Sequence, residues 1–198
     1  KENAMIKADY TLSFQQNKFA FLMAENEQYI GEVEVLDIGL HKDFTEQCSS
    51  IELVDIDMIK TIYKPRQQFS HKGDYGHAGL IAGSYGMMGA AALSAKACLR
   101  SGVGKLTCFI PKVGYEIMQI TIPEAMTRVC GNKFIKKSGE TESFDAIGIG
   151  PGIGIHKSHI ELLQTLFKNF KKPVVIDADA LNIMSQNKKL LSSIPADS

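Results

Sequence analysis

The stretch HAGLIAGSYGMMGAAALSAKACLRSG, residues 77–102, decides the fold. It opens with an apolar run, His77 to Ala82, that does not alternate with polar residues, as in a strand covered on both faces. Gly83, Gly86 and Gly89 then break the run. Ala90, Ala91, Ala92 and Ala95 follow, good helix formers whose small side chains let a helix lie close to a sheet. Strand, glycine-rich turn and helix together make one α/β unit.

Working outward, the same grammar recurs: KLTCFIP (105–111), a helix through Tyr115 to Thr121, AIGIGPG (146–152), a helix from Ser158 to Phe170, and PVVIDADALNIM (173–184). Buried strands alternating with helices predict a doubly wound, mostly parallel sheet with helices on both faces. Upstream the pattern changes. ADYTLSF (8–14), NKFAFLM (17–23) and YIGEVEVLDIGL (29–40) read as three strands, with ENEQ (25–28) as a turn. Three strands cannot bury a core alone, so they read as the end of a larger domain, with further chain expected before Lys1. Residues 41–70 are polar and mixed, with a short helix expected in VDIDMIKTIY (54–63) ahead of Pro65, and read as a linker. The last stretch, SQNKKLLSSIPADS, stops where a doubly wound sheet would add βα units, so chain is expected beyond Ser198 as well.

Composition narrows the function. Lys+Arg and Asp+Glu both number 22, leaving no net field for nucleic acid or an anionic membrane. A small ligand recognised locally is the expectation. Cys48, Cys98, Cys108 and Cys130 form no C-x-x-C pair, which points to a reducing compartment and no zinc. No apolar run approaches the roughly 18 residues of a membrane span, and the first residues lack a secretory pattern. The expected location is the cytoplasm.

Two glycine loops are candidate ligand sites. Gly83, Gly86 and Gly89 lie between a strand and a helix, where backbone N–H groups can meet an anion. Gly148, Gly150, Gly152 and Gly154 again follow a buried strand. Neither loop has the G-x-G-x-x-G spacing of a dinucleotide fingerprint or the Lys-Ser/Thr of a P-loop; a tight turn under a closely packed helix explains the first equally well, and a Pro-Gly pair marks ordinary turns far more often than sites, though two such loops on one sheet edge strengthen each other. Asp177 and Asp179 leave the end of a strand, where α/β enzymes project acids toward phosphate, metal or hydroxyl. Asp179 is the better candidate to cap the helix that follows and Asp177 the better functional acid. Lys72, in HKGDYGH (71–77), would suit a phosphate, or would sit on a solvated loop.

Residues 71–111, the PEAM of 123–126, DAIGIGPGIG (145–154) and VVIDADALN (174–182), in that order, resemble the NAD(P)H-hydrate dehydratases of the ribokinase-like superfamily. The stretches KADYTLSFQQNKFAFLM and GEVEVLDIGL resemble the closing strands of the NAD(P)HX epimerase domain, a separate Rossmann-like α/β domain fused ahead of the dehydratase in many bacteria. The resemblance divides the chain into 1–40 (epimerase-like), 41–70 (linker) and 71–198 (incomplete dehydratase). It implies repair of hydrated NADH or NADPH by dehydration of the S hydrate, driven by ADP or ATP with Mg2+, while the epimerase, with K+, interconverts R and S forms. Ala90 and Gly152 match positions that contact the hydrated dinucleotide in the family. Gly83, Ser84, Gly89 and Gly154 would shape the same walls, with Asp177 and Asp179 near phosphate or magnesium. The family's G-x-G-D loop with its catalytic Asp is expected beyond Ser198, so this chain alone is expected to be inactive, and a homo-oligomer is implied. A ribokinase-like kinase for a sugar or other alcohol is the alternative within the superfamily, and a non-catalytic nucleotide-binding module the alternative outside it. A Rossmann oxidoreductase lacks its acidic residue about 20 positions on.

Overall fold

A computed structural model describes residues 5–41, 43 and 53–198. Of the expected linker, residues 42 and 44–52, Cys48 among them, lie outside the described residues. Internal contacts divide the chain into two compact units, Lys1–Lys64 and Pro65–Ser198.

In the first unit β1 (Tyr10–Phe14) and β2 (Glu32–Leu36) pair in parallel, Tyr10 opposite Glu32 and Phe14 opposite Leu36. The third strand expected at NKFAFLM is not formed. Parallel neighbours must be joined by a crossover that leaves the sheet, and here it consists of 3-10 turns at Phe19–Leu22 and Ala24–Asn26, then the one-turn helix α1 (Glu27–Ile30). Tyr10, Leu12 and Phe14, which share a face of β1, are 70%, 61% and 59% exposed, so this apolar face is open within the unit. The helix expected before Pro65 is α2 (Ile56–Ile62), capped by Asp55, whose carboxylate accepts the Met58 amide at 2.8 Å.

The second unit is a five-stranded sheet in the order β5-β4-β3-β6-β7, parallel throughout: β3 (His77–Ile81), β4 (Lys105–Ile110), β5 (Met126–Val129), β6 (Ala146–Ile149) and β7 (Val174–Ile176). The chain steps outward from β3 to β4 and β5, then returns to β6 on the other side of β3. Strand order therefore reverses between β3 and β6, and a crevice opens there beyond the carboxyl ends. Strand β5 was legible only as the PEAM sequence. It is an edge strand with Met126 and Val129 half exposed, so no buried apolar run announces it.

Period two divides the strand residues between two cores. Leu80 and Ala82, with Leu106, Cys108 and Ile110, pack against Met88, Ala91 and Ala95 of α3 (Met88–Arg100) and Met118 of α4 (Tyr115–Thr121). Ile81, Phe109, Ile147 and Ile149 face the other way, onto Leu162, Leu163 and Leu166 of α5 (Ser158–Asn169) and Ile183 and Met184 of α6 (Asp179–Gln186). Helices thus cover both faces, as the sequence predicts. Burial pushes the Cys108 thiol up to about 12 and raises Cys98 and Cys130 as well, which fits small core hydrophobes better than reactive thiols.

The amino edge of the sheet carries a polar latch. The His77 amide donates to Asp145 at 2.9 Å, Lys172 stands 3.5 Å from the same carboxylate, and the His77 ring contacts the Thr107 hydroxyl at 2.9 Å. The His77 amide bond, with Lys172 nearby, lowers the Asp145 pKa, while desolvation, then Lys105, lower that of His77. Both groups have depressed folded-state values, so each contributes stability above its unfolded value that is lost as pH falls through the folded one. The thermal midpoint should fall from pH 7.5 to pH 5 as His77 gains its proton, with the Asp145 contribution lost only at lower pH. His77→Gln should flatten the first part of that fall in calorimetry; an unchanged profile would remove His77 from the account.

Candidate functional site

At the switch point the two glycine loops are fastened to each other. Ile81 and Ile149 are paired neighbours at the ends of β3 and β6, and the chains continue as loops 82–87 and 150–157. The Gly150 amide donates to Ile81 O (3.2 Å), the Gly83 amide to Pro151 O (2.9 Å) and the Ser84 hydroxyl to Gly152 O (2.8 Å). Gly152 has φ +66°, and a Cβ there would stand 2.8 Å from Met87 O and 2.9 Å from the Ala90 methyl. Only glycine fits this backbone and this approach. The expected wall residues Gly83, Ser84, Ala90, Gly152 and Gly154 therefore share one constellation, with Gly89 on the first turn of α3.

The aspartates divide differently from the expectation. Asp179 does not cap the helix after it. It is the first residue of α6, and its carboxylate reaches back to accept the Gly154 amide at 2.8 Å. The N-cap is Ala178, whose φ of 48° is a left-handed conformation that strains an alanine. That turn swings the Asp179 carboxylate toward the glycine loop, a better partner than the helix's own amides. The Asp177 amide is tied to Ile149 O at 3.0 Å, while its exposed carboxylate accepts no hydrogen bond among the described residues. Lys72 does not join the site. It lies in a 3-10 turn before β3, its carbonyl against Gly104 at the start of β4, on the amino edge of the sheet. The five residues of β3, roughly 16 Å, separate it from the glycine loops.

A further loop closes in without having been expected. The Tyr85 amide donates to Lys133 O at 2.7 Å, and the Lys133 ammonium lies 5.4 Å from the centre of the exposed Tyr85 ring. Beside them Tyr85, Gly86, Met88, Gly89, Val113 and Ile117 line a groove of about 350 Å³. The amides of Gly86, Gly89 and Gly152 meet no acceptor among the described residues, which leaves donors for an anionic or carbonyl-bearing ligand. Among those residues no three His, Cys, Asp or Glu side chains gather into an all-protein cage for a metal ion. His159 was also missed, though its signal was present: it occupies the apolar i, i+3, i+4, i+7 series of Leu162, Leu163 and Leu166.

The family model for NAD(P)H-hydrate dehydratase matches residues 78–196, more than half of the chain. The chain belongs to that family. It is 30% identical over 184 residues to the bifunctional NAD(P)H-hydrate repair enzyme of Escherichia coli, covering 93% of this chain and 35% of the relative. To the ADP-dependent (S)-NAD(P)H-hydrate dehydratase of Streptococcus thermophilus it is 32% identical, covering 72% of this chain and 51% of the relative. The solved ADP/ATP-dependent NAD(P)H-hydrate dehydratase of Bacillus subtilis, co-crystallised with ATP and Mg2+, is 32% identical with a TM-score of 0.55 over 63% of this chain and 45% of its own. A ribokinase-like superfamily protein from Enterococcus faecalis aligns with a TM-score of 0.59 at 26% identity over 68% of this chain and 48% of its own. The chain thus spans about a third of the length of the bifunctional relative and half of the dehydratase.

The division of labour between the aspartates is measurable. Asp179→Ala removes a charge-assisted acceptor and should cost about 1.5–3 kcal/mol in urea unfolding. Asp177→Ala, which breaks no side-chain bond, should stay within about 0.5 kcal/mol of the parent. Equal losses would contradict the assignment.

Proposed function

We propose that the protein containing this chain dehydrates the S form of hydrated NADH or NADPH, restoring the reduced cofactor at the expense of ADP or ATP. The observation that carries this reading is the β3–β6 crevice of a family dehydratase, where two interlocked glycine loops present backbone donors to an extended ligand. Gly83, Ser84, Gly89 and Gly154 form its walls, and Ala90 and Gly152 stand against the dinucleotide because their small size brings α3 and the loop together. Asp177, whose carboxylate accepts no hydrogen bond among the described residues, is the acid placed near phosphate or its magnesium.

The chemistry suits a ribokinase-like scaffold. Hydroxide leaves poorly from the hydrated ring. Transfer of the terminal phosphoryl group to the ring hydroxyl breaks the nucleotide's phosphoanhydride bond and makes a phosphate ester. The ring nitrogen's electron pair then expels phosphate, and loss of the neighbouring C–H proton restores the ring double bond. Such transfer needs positioning and charge neutralisation more than covalent help from the protein. Magnesium would supply part of that neutralisation. It would be held by one or two carboxylates together with the nucleotide's own phosphates.

For the first unit the reading is the end of an epimerase-like domain that interconverts the R and S hydrates, with potassium bound by residues elsewhere. Two features support it. The bifunctional relatives match 90–94% of the chain, the dehydratases so named 62–72%, and the open apolar face of β1 calls for a further layer. A cytoplasmic location fits a cofactor-repair enzyme, and no helix among the described residues is long and apolar enough to cross a membrane. The neutral net charge supports neither nucleic acid nor membrane as a partner. A homo-oligomer is part of the proposal, with Ile117 and Ile120 of α4, 42% and 79% exposed, as the face for a second copy.

The full-length protein, given enzymatically hydrated NADH, Mg2+ and either ADP or ATP, should regain the absorbance of reduced nicotinamide. Ala90→Leu should raise the KM for the hydrate at least about tenfold by filling the space beside Gly152. No recovery with either nucleotide would favour a ribokinase-like alcohol kinase, and unchanged KM in the variant would remove Ala90 from the site.

A further inference from the structure

His159 is fully buried on the first turn of α5, with its ring edge-on to Phe134 at 6.0 Å. Its Nδ1 lies 2.9 Å from the carbonyl oxygen of Gly154 and its Nε2 lies 2.9 Å from that of Ile135. Both partners are pure acceptors, so each contact becomes a hydrogen bond only when the nitrogen facing it carries a proton. Gly154 is held on its other side as well, its amide donating to Asp179. The peptide groups flanking this glycine are therefore clamped between a carboxylate from α6 and an imidazole from α5. His156 lies beside the clamp, its ring 5.0 Å from His159 and stacked on Phe134 at 4.3 Å.

We propose that His159 is a positioning residue for the substrate loop: through an Nδ1–H···O bond to Gly154 it fixes the backbone of Gly152–Gly154 against which the hydrated dinucleotide binds. The proposal rests on the functional reading above only for the identity of that ligand. The geometry gives the two ring nitrogens separate tasks. Nδ1 holds the loop that bears the site, and Nε2 holds Ile135, a buried residue of the core. A residue serving packing alone would have no reason to distinguish them.

Asparagine and glutamine separate the two struts, because the amide nitrogen of Asn falls near the place of Nδ1 and that of Gln near the place of Nε2. In the full-length protein His159→Asn should keep slow amide exchange at Gly152–Ile155 and an affinity for NADPH hydrate near that of the parent. His159→Gln should speed that exchange and weaken binding, each about tenfold, with kcat at saturation little changed. Each variant keeps a single amide donor, toward Gly154 O in Asn and toward Ile135 O in Gln, and thermal midpoints of both show whether faster exchange merely follows lost stability, which would also overturn the proposal. Equal effects of the two substitutions on exchange would overturn the proposal, as would the reverse order. Exchange that follows the expected order in a protein that does not bind NADPH hydrate would uphold the loop role and sink the functional reading instead. Should neither variant fold, long-range proton–nitrogen correlation of the native His159 ring decides: a proton on Nδ1 upholds the strut to Gly154, and a bare Nδ1 rules it out.

Discussion

Gly83 and Ser84, at the end of β3, reach across to the carbonyls of Pro151 and Gly152 at the end of β6, and the rest of the second unit is arranged around that contact. It exists because β3 and β6 are sheet neighbours although β4 and β5 intervene in sequence, the reversal of strand order that opens a crevice in a doubly wound sheet. Once the loops are joined, α3 must start close to Gly152, so Met87 and Ala90 crowd that glycine and a side chain larger than alanine at position 90 would press on the loop. Asp179 and His159 then clamp Gly154 from α6 and α5. Three helices and two strands converge on a few peptide groups, and the resulting surface is mainly backbone.

A backbone-lined surface suits a particular kind of ligand. Side chains recognise compact groups with strong local charge, whereas rows of peptide donors can follow an extended molecule along its length. The amides of Gly86, Gly89 and Gly152, unbonded among the described residues, are such donors, and Lys133 lies against the Tyr85 ring nearby. An alcohol kinase would instead need side-chain hydrogen bonds around a small acceptor, and the described part of this crevice has few.

Much of this architecture was legible in the sequence, for a physical reason. Strands covered on both faces must be continuously apolar, so HAGLIA, KLTCFI and AIGI announced themselves, as did the helices between them, and VVI was equally apolar although Val175, at the other edge, is exposed. The edge strand β5, half in solvent, has no such obligation and stayed hidden. NKFAFLM was misread because its apolar residues serve a 3-10 crossover rather than a pleat, a choice made by the parallel pairing of β1 with β2, which no local pattern encodes. In the site, glycines that only glycine can fill were visible one by one. Their mutual contacts were not, because they join residues about 70 positions apart. Asp179 looked like a helix cap because aspartate before a helix usually is one; the left-handed turn at Ala178 redirects it. Lys72 looked useful beside phosphate only while the direction of β3 was left out of account.

In the proposed function the carboxyl edge at β3 and β6, not the amino edge, receives the hydrated dinucleotide. Backbone amide chemical shifts of the full-length protein, followed while NADPH hydrate is added, test it most directly. Shifts should concentrate at Gly83–Ala90 and Gly150–Gly154 and leave His77, Lys105 and Asp145 unmoved. Shifts confined to the amino edge around Lys72 and His77, or absent from both glycine loops at saturation, would contradict it.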